Sequence, residues 1–168
     1  MADIVVETGA GLTTSNAYIS LDDADVYHEM RLHVTDWTSA GDDTKEAALM
    51  WASGLLDTLV DWAGLKVSTT QAMRWPRSAV YDLDGDALDS DDIPKFLEDA
   101  TAEYARLLIA DDVTAVNDLA GFKMLQVDVI KIEVDKYDRT GSIPPLVWDM
   151  IKNYGSKLAK QSRILERV

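Results

Sequence analysis

Two histidines lie close enough in this sequence to suggest metal chemistry. A helical zinc-protease motif needs histidines at i and i+4, which places both imidazoles on one face of the helix. His28 and His33 are at i and i+5, so on a helix they would point about 140° apart. The chain has no other histidine and no cysteine. We therefore predict no metal held by these residues, no disulfide and no thiolate nucleophile.

Three aspartates, Asp82, Asp84 and Asp86, alternate as they do at the start of a calcium-binding loop. With Asp82 at position 1, Ala87 stands where that loop needs glycine and Ile93 where it needs glutamate. We interpret the segment as an acidic turn with Gly85 at its tip and expect no cofactor. A small hydrolase that uses these aspartates with a divalent metal stays open as an alternative.

Other catalytic patterns are incomplete. Gly9-Ala10-Gly11 follows an apolar run but lacks the third glycine of a dinucleotide-binding fingerprint. The chain contains neither a phosphate-binding P-loop nor a nucleophile elbow. With 30 acidic residues, some carboxylates will lie close together by chance. We expect that the protein is not an enzyme.

Charge divides the chain into an acidic body and a basic end. Of the 168 residues, the first 150 include 11 Lys and Arg against 29 Asp and Glu, a formal charge of −18. The last 18 carry +4. An acidic body opposes nucleic-acid binding, which depends on cationic groups that displace counterions. The basic end is either a solubilising terminus or a docking arm, and its cationic candidates share an arc of about 120° on a helix: Lys157, Lys160, Arg163 and Arg167.

The spacing of the apolar residues predicts that most of the chain that positions these side chains is helical. Ser20 is the expected N-cap of a first helix that runs to about Leu32. A second helix begins near Asp42 and ends near Gly64. Its predicted buried face is Ala48, Trp51, Leu55, Leu59 and Trp62.

A third helix is predicted to begin at Ile93-Pro94, because proline suits the first turn. Its apolar stripe includes Leu97, Ala100 and Tyr104, and the side chains expected to face water are Glu98, Asp99, Glu103 and Arg106. Trp37 and Trp75 fall in predicted loops, where packing and an interface role stay open.

A change of period near the C-terminus predicts a β-hairpin over residues 122–136. Ile130, Ile132 and Val134 alternate with charged residues, as in a half-buried strand. Because an isolated hairpin is marginal in water, it must rest on the helices, on a partner's sheet or on neighbouring copies. Ser142 to Pro145 then open a short helix, with Gly155 as the residue that follows its end.

Together these elements predict a mainly α fold, a small bundle of three or four helices with one β-hairpin and an extended C-terminal tail. We place a helical domain at residues 1–155 and a docking tail at 156–168. No apolar run approaches the length of a transmembrane helix, and the first residues lack a secretory signal, so we expect no membrane partner.

One stretch of the sequence is specific enough to suggest a family. It consists of Gln71-Ala72-Met73-Arg74-Trp75-Pro76-Arg77, then Tyr81-Asp82-x-Asp84-Gly85, then Asp92-Ile93-Pro94. It resembles the tailed-phage head–tail adaptors, also called connector or head-completion proteins. Val6-Glu7-Thr8-Gly9, Ser15-Asn16-Ala17-Tyr18-Ile19-Ser20 and Ala47-Ala48-Leu49 are similar to the same family. Some relatives carry the label DnaT-like single-stranded-DNA-binding protein, so single-stranded DNA (ssDNA) binding is the alternative function. The residues that carry the resemblance, here called the signature residues, are Gln71, Trp75, Pro76, Arg77, Gly85, Ile93 and Pro94.

The resemblance implies a structural virion protein without catalytic activity. Such proteins form a ring, commonly of twelve subunits, beneath the portal protein and extend the channel for double-stranded DNA, which passes without specific binding. They join the head to a head-closure or tail protein, at the neck of a virion made in the host cytoplasm. The basic tail would then dock on the portal, and the hairpin would join a neighbouring subunit through Ile130, Ile132 and Val134.

Overall fold

The computed structural model describes residues 3–111 and 143–158 in full and the backbone of two strands between them. The helices in these parts are α1 (Leu21–Glu29), α2 (Thr35–Ser39), α3 (Asp42–Leu59), α4 (Lys95–Ala110) and α5 (Pro145–Ile151). The strands are β1 (Val60–Trp62), β2 (Leu65–Lys66), β3 (Arg77–Ser78), β4 (Met124–Val127), β5 (Ile130–Glu133) and β6 (Gly155–Lys157). The prediction of a mainly α fold with short β elements is confirmed.

Helix α4 lies at the centre of the fold. It packs along α3 and also contacts α1, α2 and α5. It begins after Pro94, whose φ of −64° is the one that proline imposes. Leu97, Ala100 and Tyr104 are fully buried, as the apolar stripe predicts. The helix thus supplies one wall of a single core that the other helices complete.

The prediction that Glu103 faces water is wrong. Its side chain is fully buried between two guanidinium groups. Arg31 donates to both carboxylate oxygens at 2.9 Å, and Arg106 donates to Oε1 at 2.5 Å. Burial alone would raise the pKa of Glu103, but these hydrogen bonds outweigh it and lower the pKa below its usual value. Spacing along α4 is compatible with the pair of Glu103 and Arg106 at i and i+3, but it gave no indication of the burial, because Arg31 reaches the site from the segment after α1.

The predicted buried face of α3 is right only in part. Ala48 is buried, and Leu55 and Leu59 pack against the core, but Trp51 does not belong to this face. Trp51 is 54% exposed, and the buried face of α3 includes Leu49, Ala52, Ser53 and Leu56. The prediction counted Trp62 as part of the helical stripe, but α3 ends at Leu59 and Trp62 lies on β1. Leu49, Ala52, Ser53 and Leu56 were left out of the prediction, and they lie on the side of α3 that the rest of the fold covers.

Two short antiparallel strand pairs lie between the helices. Strand β1 pairs with β6, with Val60 opposite Lys157 and Trp62 opposite Gly155, and β2 pairs with β3. Gly155 was expected to follow a helix end, but it begins β6. A Cβ on Gly155 would lie 2.7 Å from Val60 Cγ1 and 2.9 Å from the Asp61 carbonyl oxygen, so only glycine fits this pairing without a shift.

The backbone pairing of β4 with β5 confirms the hairpin. The register is antiparallel and places Met124 opposite Glu133 and Val127 opposite Ile130. Val134, the turn and the side chains of this hairpin, including those of Ile130 and Ile132, lie outside the described residues. Its proposed contact with a neighbouring subunit therefore stays a prediction.

The N-terminal elements are shorter than predicted. The apolar run before Glu7 forms one bridge, between Val6 and Ala17, rather than a strand. The Ser20 hydroxyl caps α1 by accepting from the Asp23 N–H at 3.1 Å, but the helix ends at Glu29 and not at Leu32.

Candidate interaction surfaces

The signature residues Gln71, Trp75, Pro76 and Arg77 are buried. The Gln71 amide nitrogen donates to the carbonyl oxygens of Met73 and Pro76 at 3.0 and 3.1 Å, and its amide oxygen accepts from the backbone of Ser68. The Trp75–Pro76 peptide bond is cis. The glutamine side chain therefore closes a loop whose own backbone groups lack partners in a regular strand or helix.

Arg77 holds the signature segment to the β1–β2 turn. Its guanidinium donates to the carbonyl oxygens of Ala63 at 2.5 Å, Gly64 at 2.7 Å and Trp62 at 3.1 Å. A fourth bond reaches the carbonyl of Arg74 at 3.2 Å. This donor fork is the reason that arginine suits the position, since its rigid plane satisfies several carbonyls at once. The charge of Arg77 is thus committed to the fold.

A partly buried carboxylate anchors the middle of the same segment. Asp57, on α3, accepts hydrogen bonds from the Tyr18 hydroxyl and from the Arg74 N–H. The Tyr18 oxygen in turn accepts from the Trp75 N–H at 3.2 Å. Burial raises the pKa of Asp57 to about 6, despite these bonds, and raises the pKa of Tyr18 well above its usual value.

The remaining signature residues shape the entry to α4. Gly85 has a φ of +90° at the tip of the acidic turn, as predicted. The turn uses its own first carboxylate, because Asp82 Oδ1 accepts from the N–H groups of Asp84 and Asp86, each at 2.9 Å. Ile93 is buried, and Pro94 precedes the first turn of α4. These residues determine backbone shape and present no reactive group.

The glycine-rich segment near the N-terminus wraps around a buried side chain. The Glu7 carboxylate accepts hydrogen bonds from the N–H groups of Gly9, Gly11 and Leu12 at 2.9–3.1 Å, and from the Ser15 hydroxyl at 2.8 Å. An acidic residue two positions before Gly-x-Gly is the sequence signal that could have predicted this. Because the protein's own carboxylate accepts from these three N–H groups, they are not available to a phosphate.

The metal alternatives gain no support from the described residues. His28 is buried and its Nε2 donates to the Ala102 carbonyl at 3.2 Å, whereas His33 lies after the helix with a φ of +60°. Burial lowers the pKa of His28. Within the described residues, no three His, Cys, Asp or Glu side chains are grouped as a metal site would require.

The surface of residues 3–111 is strongly acidic. This range contains 22 Asp and Glu against 7 Lys and Arg. Fourteen of the acidic residues are exposed, but only two of the basic ones, Arg74 and Lys95. Six of the seven basic side chains donate hydrogen bonds within the chain, among them Lys45 to Asp25 and Lys95 to Asp99. Residues 3–111 therefore present carboxylates to a partner, and most of their cationic side chains are already hydrogen-bonded within the chain.

The cationic candidates of the tail lie mostly beyond the described part. Lys157 ends β6, and its Nζ sits 4.8 Å from the ring centroid of Trp148. Lys160, Arg163 and Arg167 lie outside the described residues, so their arrangement on one face stays a prediction. Strand β6 shows, however, that the folded body continues to Lys157 through its pairing with β1.

A family comparison covers almost the whole chain. The model described as "Putative DnaT-like ssDNA binding protein" matches residues 2–166. The chain belongs to this family. The family description is the label that some relatives carry in the resemblance noted from the sequence. The head–tail adaptor role stays a prediction. No curated protein and no solved structure matches the chain.

Members of this family are named for ssDNA, which is usually bound by a cationic groove with stacking aromatics. The exposed aromatic side chains of the described part, Trp51 and Tyr81, have few cations around them. Tyr81 adjoins the acidic turn, and the exposed side of α3 around Trp51 carries no Lys or Arg. Trp37, left open above, is buried, and its Nε1 donates to Asp25 at 2.7 Å. Among the described helices, none has the length and apolar character needed to cross a bilayer.

Proposed function

We propose that this protein is a head–tail adaptor of a tailed phage. It assembles as a ring, of twelve subunits by analogy with the adaptors it resembles, beneath the portal protein. The ring extends the DNA channel and receives a head-closure or tail protein at the neck of the virion. The protein has no catalytic role in this proposal.

The observation that carries the proposal is the sign of the exposed charge on residues 3–111. A conduit for DNA must not bind its cargo, and carboxylates along a lumen raise the energy of close phosphate approach. Internal hydrogen bonds occupy most of the cations of this range, so repulsion dominates its surface. A ring of such subunits lets a duplex slide.

The test is assembly with a portal. Purified full-length protein is mixed with portal rings of the phage that encodes it and examined by electron microscopy and co-sedimentation. We expect an added ring at one end of the portal. Portals that stay bare in the presence of excess protein contradict the adaptor role.

The docking role of the tail needs a truncation that spares the fold. Residues 159–168 are removed, because an earlier cut would delete β6, which pairs with β1. A matched variant keeps the length but changes Lys160, Arg163 and Arg167 to Gln. Both variants are expected to co-sediment less with portal than the full chain does. Unchanged co-sedimentation of both would show that the tail is not the docking arm.

Single-stranded DNA binding is the second candidate, because the family description names it. Fluorescence anisotropy of a labelled oligothymidine at about 0.1 M salt tests it directly. The described body supplies little cationic surface, so we expect weak binding that disappears in the Lys160, Arg163 and Arg167 to Gln variant. Tight binding that strengthens with oligonucleotide length would rank this function above the adaptor role.

A further inference from the structure

The longest helix of the structure exposes a face without charge. On α3, five uncharged residues are exposed and share an arc of about 80°, with the exposed Asp43 about 20° beyond its edge; they are Thr44, Ala47, Trp51, Gly54 and Thr58. We call this surface the α3 outward face. It spans four turns in a chain whose net charge is −14. A solvated helix in so acidic a protein would normally carry charged residues on its outer side.

Two residues of this face lack an intramolecular reason for their identity. Trp51 is 54% exposed, although most tryptophan surface is usually buried. Gly54 lies inside the helix, where glycine costs about 0.5–1 kcal/mol relative to alanine. A Cβ at this position would meet no atom within 4 Å, so packing within the chain does not require glycine. A neighbouring molecule that approaches the helix backbone closely would require it.

The polar group of Thr58 is already used within the helix. Its hydroxyl donates to the Gly54 carbonyl at 2.7 Å. This bond reduces the cost of removing water from the face, because the hydroxyl keeps a partner when the surface is covered. A large aromatic residue beside small ones is also the arrangement in which an anchor residue carries much of the binding energy.

We infer that the α3 outward face is the contact with a second copy of this chain. The inference rests on the ring assembly proposed above. Two strongly acidic copies repel each other, and a contact through exposed carboxylates would bring like charges together away from water. An uncharged helix face avoids that cost. A nucleic-acid partner fits less well, because the face has no Lys or Arg for phosphate.

The size of the face predicts a weak contact. The face runs from Thr44 to Thr58, about 22 Å, and an 80° arc of a helix about 10 Å wide is about 7 Å across, so it offers on the order of 150 Å². A standard stable interface buries about 800 Å² per partner. Free copies should therefore associate weakly, and a ring held on a template would strengthen each contact by raising the effective concentration.

Sedimentation velocity of the full chain tests the inference. We expect association between about 10 μM and 1 mM, stronger in 0.5 M than in 0.1 M salt, because salt shortens the range of repulsion. Trp51→Glu should lower the association constant at least tenfold. Leu83→Glu is the matched control, since it adds the same charge at a side chain that is 78% exposed in the acidic turn. It should change association by less than threefold.

Gly54→Ala separates close packing from a merely structural role. The added methyl has open space within the chain, so the melting temperature should rise. If a second copy approaches the helix here, the same variant must associate more weakly than the wild type. A higher melting temperature with unchanged association would contradict the close contact.

Three outcomes overturn the inference. The first is a Trp51→Glu variant that associates as the wild type does, and the second is a wild-type chain that stays monomeric at 1 mM in 0.5 M salt. The third is a Trp51→Ala variant that no longer binds oligothymidine, which would make Trp51 a base-stacking residue.

The failure of the ring proposal can be told apart from the failure of this contact. If Trp51→Glu forms rings on portals as the wild type does, only the contact is wrong. If portals stay bare but Trp51→Glu abolishes self-association, the contact holds and the adaptor role is wrong.

Discussion

Two tryptophans mark regions of opposite kinds in this protein. Trp75 belongs to the segment that makes the sequence recognisable, and it is fully buried. Its ring packs edge-on against Trp62 and Phe96, with centroids 5.8 Å away in both cases. Trp51 sits on a helix with no recognisable motif, yet about half of its side chain is exposed. The region with the motif is structural, and the region without a motif carries the exposed α3 outward face.

The difference has a physical cause. A loop of irregular backbone can be buried only if specific side chains satisfy its polar groups. Gln71, Arg77 and the Tyr18–Asp57 pair do this, and few other residues could replace them. An exposed helix face has no such requirement within the chain. Family motifs of this kind therefore identify the fold, and the function must be sought on other surfaces.

The largest expected effect comes from truncating each tryptophan in turn. Trp75→Ala leaves a cavity between two aromatic rings and should lower the free energy of unfolding by about 3–5 kcal/mol. Trp51→Ala should lower it by less, about 1–2 kcal/mol, because about half of the residue is already exposed. Urea denaturation followed by circular dichroism measures both. Similar losses in the two variants would remove the contrast between the regions.

A second comparison tests two arginines of the signature segment. Arg77→Met leaves the carbonyl groups of Trp62, Ala63 and Gly64 without their donor and should cost about 2–4 kcal/mol. Arg74→Met is the control, because the Arg74 side chain is exposed and the contacts of this residue use its backbone. It should change stability by no more than about 0.5 kcal/mol. The comparison is made on urea unfolding curves at neutral pH.

If Arg77→Met were as stable as Arg74→Met, the three hydrogen bonds to Trp62, Ala63 and Gly64 would not be what holds the segment to the β1–β2 turn. Arg77→Lys refines the result. A lysine keeps the charge but loses the planar fork, so an intermediate stability indicates that geometry matters beyond charge.

Sequence periodicity predicted the helices better than their buried faces. The N-cap at Ser20, the start of α4 after Pro94 and the backbone of the hairpin were all found where local signals placed them. The buried face of α3 was found only in part, because the stripe was drawn through the exposed Trp51 and missed Leu49, Ala52 and Leu56. Local chemistry determines where a helix begins, whereas its neighbours determine which side is covered.

Polar contacts between residues far apart in the sequence could not be predicted from the sequence. Glu103 bonds to Arg31 across 72 residues, and Tyr18 bonds to Asp57 across 39. Neither pairing has a spacing rule, since each depends on how α1, α3 and α4 come together. Glu7 is different, because its partners lie within eight residues and its position before a glycine-rich loop was a usable signal.

The smallest expected effect on the signature segment is its pH dependence. Burial raises the pKa of Asp57 to about 6 in the folded chain, from an ordinary value of 3.8. Between about pH 4 and 6 the folded state therefore holds a proton that the unfolded state has released, and the free energy of unfolding falls as the pH rises through this window. Above about pH 7 both states are ionised, and the dependence on this group ends.

The prediction concerns Asp57→Asn, which removes this titration. From pH 5 to 7, the wild type should lose about 1–2 kcal/mol more stability than Asp57→Asn does. Asp84→Asn controls for the general relief of acidic repulsion, since it removes one exposed charge from the turn. Thermal unfolding at half-unit pH steps gives the three slopes. If Asp57→Asn keeps the wild-type slope, the Asp57 carboxylate is not the cause of the pH dependence of stability, and exposed carboxylates must account for that dependence.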